Sequence, residues 1–274
     1  MNNITPVVKQ LLIINIIFFI GSQIVPISYE YFSLYYPESV KFKFWQPITH
    51  MFMHAKMPNL MHIVFNMFGL FSFGSVLEQL WGGKKFLFFY ISCGLGAALL
   101  HIGVNYFEVQ SILSEARSLN LSADDIRKIL NFNIVNGDYY DRELFYEKLQ
   151  PFLQNLGKVN LLNEVNFNAL YRANINSGVP SVGASGAIYG LLTAFAFMVP
   201  NAELSLMFIP IPIKAKYFVP GILAIDLFLG FKGSSIFGAG STGIAHFAHI
   251  GGALTGFIMM WFWKKNQFNH NRWN

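Results

Sequence analysis

The chain has 274 residues, of which 54% are hydrophobic, 17% aromatic and only 12% charged, with a mean hydropathy of +0.42. Soluble domains carry about one quarter charged residues, so an ordinary soluble globule is excluded and a polytopic membrane protein is expected. The net charge of +5 is gathered in short clusters beside apolar runs, which fits membrane topology and argues against nucleic acid or another acidic partner.

A membrane-spanning helix needs about 17 to 25 mostly apolar residues, and six runs meet or approach this: Leu11 to Ile27, Met61 to Trp81, Phe86 to Val104, Val182 to Val199, Tyr217 to Phe231 and Ile244 to Trp263. The first run is expected to be retained, because Gly21 to Tyr29 offers no small-x-small cleavage site. Residues 28–60, rich in aromatics and holding Trp45, Pro47, His50 and His54, read as an interfacial loop. The expected domains are 1–104 (spans one to three with that loop), 105–180 and 181–274 (spans four to six with a tail).

The 105–180 stretch is different in kind: it holds 9 acidic and 7 basic residues, 16 of the chain's 33. It is expected to be a soluble helical insert on the extracytoplasmic face. Ser122 to Asp125 has the pattern of a capping box ahead of Ile126, Ile129 and Leu130, Asp141 can cap the run through Leu153, and Asn163 to Arg172 suggests a further helix. Lys9, Lys84, Lys85, Lys214, Lys216, Lys264, Lys265 and Arg272 fall on one side of a six-span topology, with Lys41, Lys43, Lys56 and Lys232 opposite. That bias places both termini in the cytoplasm. The single cysteine, Cys93, lies in the third span and reads as buried filler.

Polar side chains at bilayer depth cost roughly 2.5 to 3.5 kcal/mol on insertion scales, so those in the apolar runs single themselves out. Ser185 sits in Gly183-Ala184-Ser185-Gly186 at the start of the fourth run. The unsatisfied N–H groups of a helix start could hold an oxyanion there, and Gly183 and Gly186 allow close approach. The other reading of this motif is a small-residue packing face.

His249 supplies a base, since serine needs one to lose its proton. Gly252 and Gly256 follow it at i+3 and i+7, so the sixth run can press closely on another helix. His246 is the competing base. Tyr189, at i+4 from Ser185, could stack on the imidazole. His62 and Asn66, also at i and i+4, could donate to one oxygen or simply join helices. No acid occupies an obvious third position, so a serine-histidine dyad is expected. Asp226 is the nearest triad candidate and reads better as a helix-to-helix hydrogen-bonding group. The pairs His50 with His54 and His246 with His249 have metal-compatible spacing but no evident third ligand, and neither metal nor cofactor is expected.

His62-x-x-x-Asn66, Gly183-x-Ser185-Gly186 and Ala248-His249-x-x-Gly252-x-x-x-Gly256, in this order, resemble the rhomboid family of intramembrane serine proteases from about Trp45 to Trp263, the insert apart. The resemblance implies an all-α polytopic membrane protein, a six-transmembrane-helix bundle, with Ser185 as nucleophile, His249 as base, His62 and Asn66 as oxyanion stabilisers and Tyr189 as the aromatic partner. Glu78 matches an acidic residue near the end of the second span.

The implied substrates are single-pass or polytopic membrane proteins, cut near the extracytoplasmic end of a helix within the bilayer. Abundant Asn, Ile, Lys and Phe point to an AT-rich bacterium and hence to the bacterial inner membrane. Two departures stand out: Gln46 follows Trp45 where many members have arginine, and 105–180 enlarges a usually short loop, where it could contact a partner or substrate. The alternative is a catalytically silent relative that binds client helices. No His-Glu-x-x-His occurs, and Gly137-Asp138 lies in the insert rather than in a span, which sets aside other intramembrane protease types.

Overall fold

A computed structural model describes residues 4–137, 139–206, 209–232 and 244–270. Arg272, Asp138 and the side chains of Lys264 and Lys265, invoked above, lie outside the described set. The chain divides into two compact units, Met1–Leu34 with Phe44–His101 and Ser181–Asn274, and Tyr35–Lys43 with Ile102–Pro180.

The first unit is a helical membrane bundle. Helix α1 (Pro6–Ile24) opens with proline at its start, where the missing N–H is no loss. Its first turn is held by a side chain distant in sequence: Glu78 accepts from Thr5 Oγ1 at 2.5 Å, Val7 N at 3.0 Å and Val8 N at 2.9 Å. A buried carboxylate thus satisfies the donors that a helix start leaves orphaned and sits at the positive end of the dipole. The remaining face is apolar and open, with Ile17 and Ile20 more than half exposed, as lipid permits and water does not.

Short helices α2 (Ser28–Phe32) and α3 (Gln46–Thr49) follow, then a 3₁₀ turn, His50–Phe52. Gln46 is fully buried and donates to the Glu30 carbonyl at 3.0 Å, so a neutral amide ties this loop. The next span is not a regular helix. It runs as α4 (Leu60–Gly69), a π-helical stretch (Leu70–Gly74) and α5 (Ser75–Trp81). The π stretch follows Gly69, where an added Cβ would meet Ile188 Cγ2 at 2.9 Å.

Helix α6 (Gly83–Ser114) extends well past the expected end at Val104 and carries the chain from the first unit into the second. In the second unit it is followed by α7 (Ala123–Leu130), the hairpin β1 (Val135–Asn136) and β2 (Tyr139–Tyr140), α8 (Arg142–Asn155) and α9 (Glu164–Gly178). Back in the first unit come α10 (Ser185–Met198), the hairpin β3 (Glu203–Leu206) and β4 (Ile209–Lys214), α11 (Ala215–Lys232) and α12 (Ile244–His270). Among the described residues, three helices are long and apolar enough to cross a membrane by length and composition, Pro6–Ile24, Met61–Trp81 and Gly83–Ser114, with Ser185–Met198 apolar but shorter. The core of this unit joins Val8, Leu77, Phe89, Leu191, Val219 and Met260 from six helical segments.

The second unit has its own core, including Val109, Leu119, Ile129, Phe145, Leu153 and Leu170. Its helices are capped by polar side chains. Ser122 and Asp125 form a reciprocal capping box on α7, Asp141 Oδ1 accepts from Glu143 N and Leu144 N at 2.9 and 3.1 Å, and Asn163 with Asn166 caps α9. At the other end of α7, Asn174 donates to the Ile129 and Phe132 carbonyls and Ser177 to that of Leu130, filling acceptors a helix end leaves open. Asn131 bonds Val40 N and the Glu38 carbonyl, which explains why Tyr35–Lys43 belongs to this unit. Burial, with Glu38 nearby, pushes the Tyr36 hydroxyl up to about 12.

Candidate active site

Ser185 is the first residue of α10, so the N–H groups of that first turn have no acceptor within the helix. The loop before it is fixed by backbone pairing: Leu34 and Ser181 exchange two hydrogen bonds, 2.9 and 2.8 Å, and Gly183 N donates to the His50 carbonyl at 2.9 Å. Gly183 has φ +126°, and a Cβ there would lie 2.9 Å from His62 Cε1 and 3.6 Å from Ser185 Oγ. Only glycine fits both the dihedral and the space. Gly183 thus lies against both the His62 ring and the serine hydroxyl.

His249 Nε2 lies 2.9 Å from Ser185 Oγ. Its ring stacks on Tyr189 with centroids 4.3 Å apart and planes 7° from parallel, which fixes the imidazole against rotation. Glycines bring the two helices this close: a Cβ on Gly252 would fall 1.8 Å from the Gly186 carbonyl oxygen, and one on Gly256 would fall 2.9 Å from Gly190 Cα. The spacing read from the sequence therefore packs as a glycine seam between α12 and α10.

His62 and Asn66 share the face of α4 that meets the serine loop, but they are held differently. Ala55 N donates to His62 Nδ1 at 3.2 Å, which makes Nδ1 an acceptor and assigns the proton to Nε2. The Nε2–H is thus a donor on the Gly183 side. Asn66 Nδ2 donates to the His62 carbonyl at 2.6 Å and its Oδ1 has no hydrogen-bond partner among the described residues. One amide hydrogen of Asn66 remains to give. His54 is turned elsewhere, its Nε2 at 2.9 Å from Asn15 Oδ1 of α1. Burial, with His62 close by, pulls the His54 imidazole down to about 3. His50 is pulled down to about 4, mainly by burial and then by His101; it bonds the Gln46 carbonyl at 3.0 Å. These two histidines are thus tied to different partners, a loop carbonyl and an α1 side chain.

Glu78 is far from this chemistry in role: its carboxylate is consumed by the start of α1. Asp226 is closer than the sequence suggested. Its Oδ1 lies 2.5 Å from His246 Nδ1, an interhelical bond as expected, but its Oδ2 is 3.3 Å from His249 Nδ1. Nothing in the spacing of α11 and α12 residues alone could have aligned these groups. Asp226, His246 and His249 have potential ligand atoms within 4.8 Å of one another. The His246 to Asp226 contact occupies two of those atoms with each other, so the cluster is better used as a hydrogen-bonded set than as a metal cage.

The fold and the site together define a helical integral membrane protein with a half-buried serine-histidine pair between α10 and α12. A family model described as Rhomboid domain matches residues 41–109 and 154–266, and the chain belongs to the rhomboid family. The gap in that match falls inside the polar 105–180 stretch. No curated protein matches the chain.

Proposed function

We propose that this protein is an intramembrane serine endopeptidase that cleaves transmembrane helices of other membrane proteins. The observation that carries the reading is the 2.9 Å contact of His249 Nε2 with Ser185 Oγ, made under the stacked ring of Tyr189. Ser185 Oγ attacks the scissile carbonyl carbon while its proton passes to Nε2. The resulting oxyanion is received by the N–H of Ser185, the Nε2–H of His62 and the spare amide hydrogen of Asn66. Collapse expels the amine, which takes the proton from His249. Water then attacks the acyl-enzyme, His249 takes its proton, and Ser185 is restored as the acid product leaves.

Depth supports an intramembrane substrate. The 14 residues of α10 rise only about 21 Å at 1.5 Å each, against a hydrocarbon core of about 30 Å. If its C-terminal end reaches one headgroup layer, Ser185 lies below the other. A peptide bond must leave its helix to react, so segments weakened by glycine or proline make better substrates. The positions of the lysine clusters further support cytoplasmic termini with the 105–180 insert outside.

The test uses the full chain in proteoliposomes with a panel of single-pass membrane proteins and a fluorophosphonate probe. Wild-type protein is expected to label at Ser185 and to cut within or beside the substrate helix, with Ser185→Ala doing neither. A folded wild-type protein that neither labels nor cuts would leave client-helix binding as the function.

A further inference from the structure

Asp226 brings a carboxylate into the bundle with its side chain only 7% exposed. Such a group is costly unless paired and hydrogen-bonded, and one partner, His246, accounts for one oxygen only. The other oxygen, Oδ2, and the Nδ1 atom of His249 are both buried, both without a hydrogen-bond partner among the described residues, and 3.3 Å apart. They are complementary: an acceptor faces the ring nitrogen that must carry the proton if Nε2 is to accept from Ser185.

We propose that Asp226 is a positioning residue that holds His249 in the tautomer with its proton on Nδ1, making a triad of what the sequence presents as a dyad. The proposal rests on the reading of Ser185 and His249 as nucleophile and base. A role as interhelical glue alone explains the His246 contact but leaves the facing Oδ2 and Nδ1 without cause. His246, one turn before His249, bonds Oδ1 and keeps the carboxylate from rotating away. Tyr189 interacts with the same carboxylate while stacking on His249.

In the acylation step the Ser185 O–H bond breaks and a Nε2–H bond forms, while the Nδ1 proton stays on the ring and the carboxylate stays ionised. Asp226 then faces an imidazolium, whose charge it stabilises at the moment of reaction. The groups around His249 are therefore Ser185 and Tyr189 from α10, His62 from α4, Asp226 from α11 and His246 from its own helix.

Purified full-length wild type, Asp226→Asn and His246→Gln are compared for kcat, KM, thermal midpoint and fluorophosphonate labelling rate, with ¹⁵N-histidine spectra of the wild type assigned by His249→Ala. Asp226→Asn is expected to lower kcat and labelling about a hundredfold or more with KM within about twofold, and His246→Gln to lower kcat about tenfold or less. The wild-type spectrum is expected to show His249 protonated on Nδ1. A kcat for Asp226→Asn within about threefold of wild type, or equal kcat losses in the two variants tracking equal losses of thermal midpoint, overturns the assignment. Should Asp226→Asn not fold, the wild-type tautomer decides: a proton on Nε2 refutes it. Failure of the protease reading is distinct, since wild type itself would then neither label nor cleave.

Discussion

The two units of this chain solve opposite problems with the same helical material. In the membrane bundle the outer faces of α1 and α12 are apolar like the core, and the polar groups between the helices fall at separate points, at Ser185, His249 and Asp226 in the site and at Glu78 on the start of α1. In the 102–180 unit aliphatic and aromatic side chains also fill the centre, but the polar side chains Ser122, Asp141, Asn163 and Asn174 finish the helix ends. Polar residues in the bundle therefore carry chemistry or single fastenings. In the other unit they stabilise local structure in small, distributed amounts.

That contrast is sharpened most by the site. Ser185→Ala and His249→Ala are expected to reduce cleavage by at least about a thousandfold while leaving the thermal midpoint in detergent near that of wild type. Cleavage that survives either change would break the claim that polarity in the bundle means chemistry. His62→Ala is expected to reduce kcat by about a hundredfold, with Asn66→Ala weaker because its amide is partly spent on the His62 carbonyl.

Stability effects come next. A methyl group at Gly252 would overlap the Gly186 carbonyl, so Gly252→Ala is expected to cost about 1 to 3 kcal/mol and to lose activity with the packing. Glu78→Ala, which frees two backbone N–H groups and the Thr5 hydroxyl, is expected to cost about 1 to 3 kcal/mol. Thermal melts would order them. A Glu78 variant that melts like wild type would show that the clasp on α1 is idle.

Proton binding gives a smaller and graded effect. His50 and His54 are held neutral in the fold, at about 4 and about 3, whereas unfolded histidine titrates near 6.5. Their contribution is whole above about pH 6.5 and shrinks as pH falls toward the folded values, because only the unfolded chain then gains protons. Between pH 6.5 and 5 each is expected to remove up to about 2 kcal/mol, read as a falling thermal midpoint that Asn15 or His54 variants should flatten. Least disruptive is Asn174→Ala, expected to cost about 1 to 2 kcal/mol, seen as faster hydrogen exchange in α7 and α9. Equal loosening of α10 would blur the distinction between the units.

Much of this was readable in advance. Hydropathy located the apolar runs, and Ser185, Tyr189, His249, Gly252 and Gly256 were legible because helical spacing decides which residues share a face. The caps at Ser122 and Asp141 were legible because the interaction is local. Boundaries were harder: α1 begins at Pro6 rather than Leu11, and α6 runs to Ser114, since amphipathic ends lack hydropathic contrast. The π stretch at Leu70–Gly74 and the strands β3 and β4 left no periodic mark. Asp226 makes the interhelical bond expected of it, to His246, but its approach to His249 was not legible: which of two histidines a carboxylate meets, or whether it meets both, depends on the rotation of α11 about its axis, and no spacing within α11 records that.

The glycine seam has one more consequence. Gly186 meets Gly252 and Gly190 meets Gly256, so the same four-residue interval repeats on both helices. Sliding one helix by a single interval, roughly 6 Å, would bring Gly190 opposite Gly252 and still leave smooth surfaces in contact. Small residues thus permit intimacy without dictating alignment; the larger neighbours do that, chiefly the ring of Tyr189 seated on His249. A population trapped one interval out of step would be well packed, correctly inserted and inert, and a Tyr189→Ala protein is where such slippage should first accumulate.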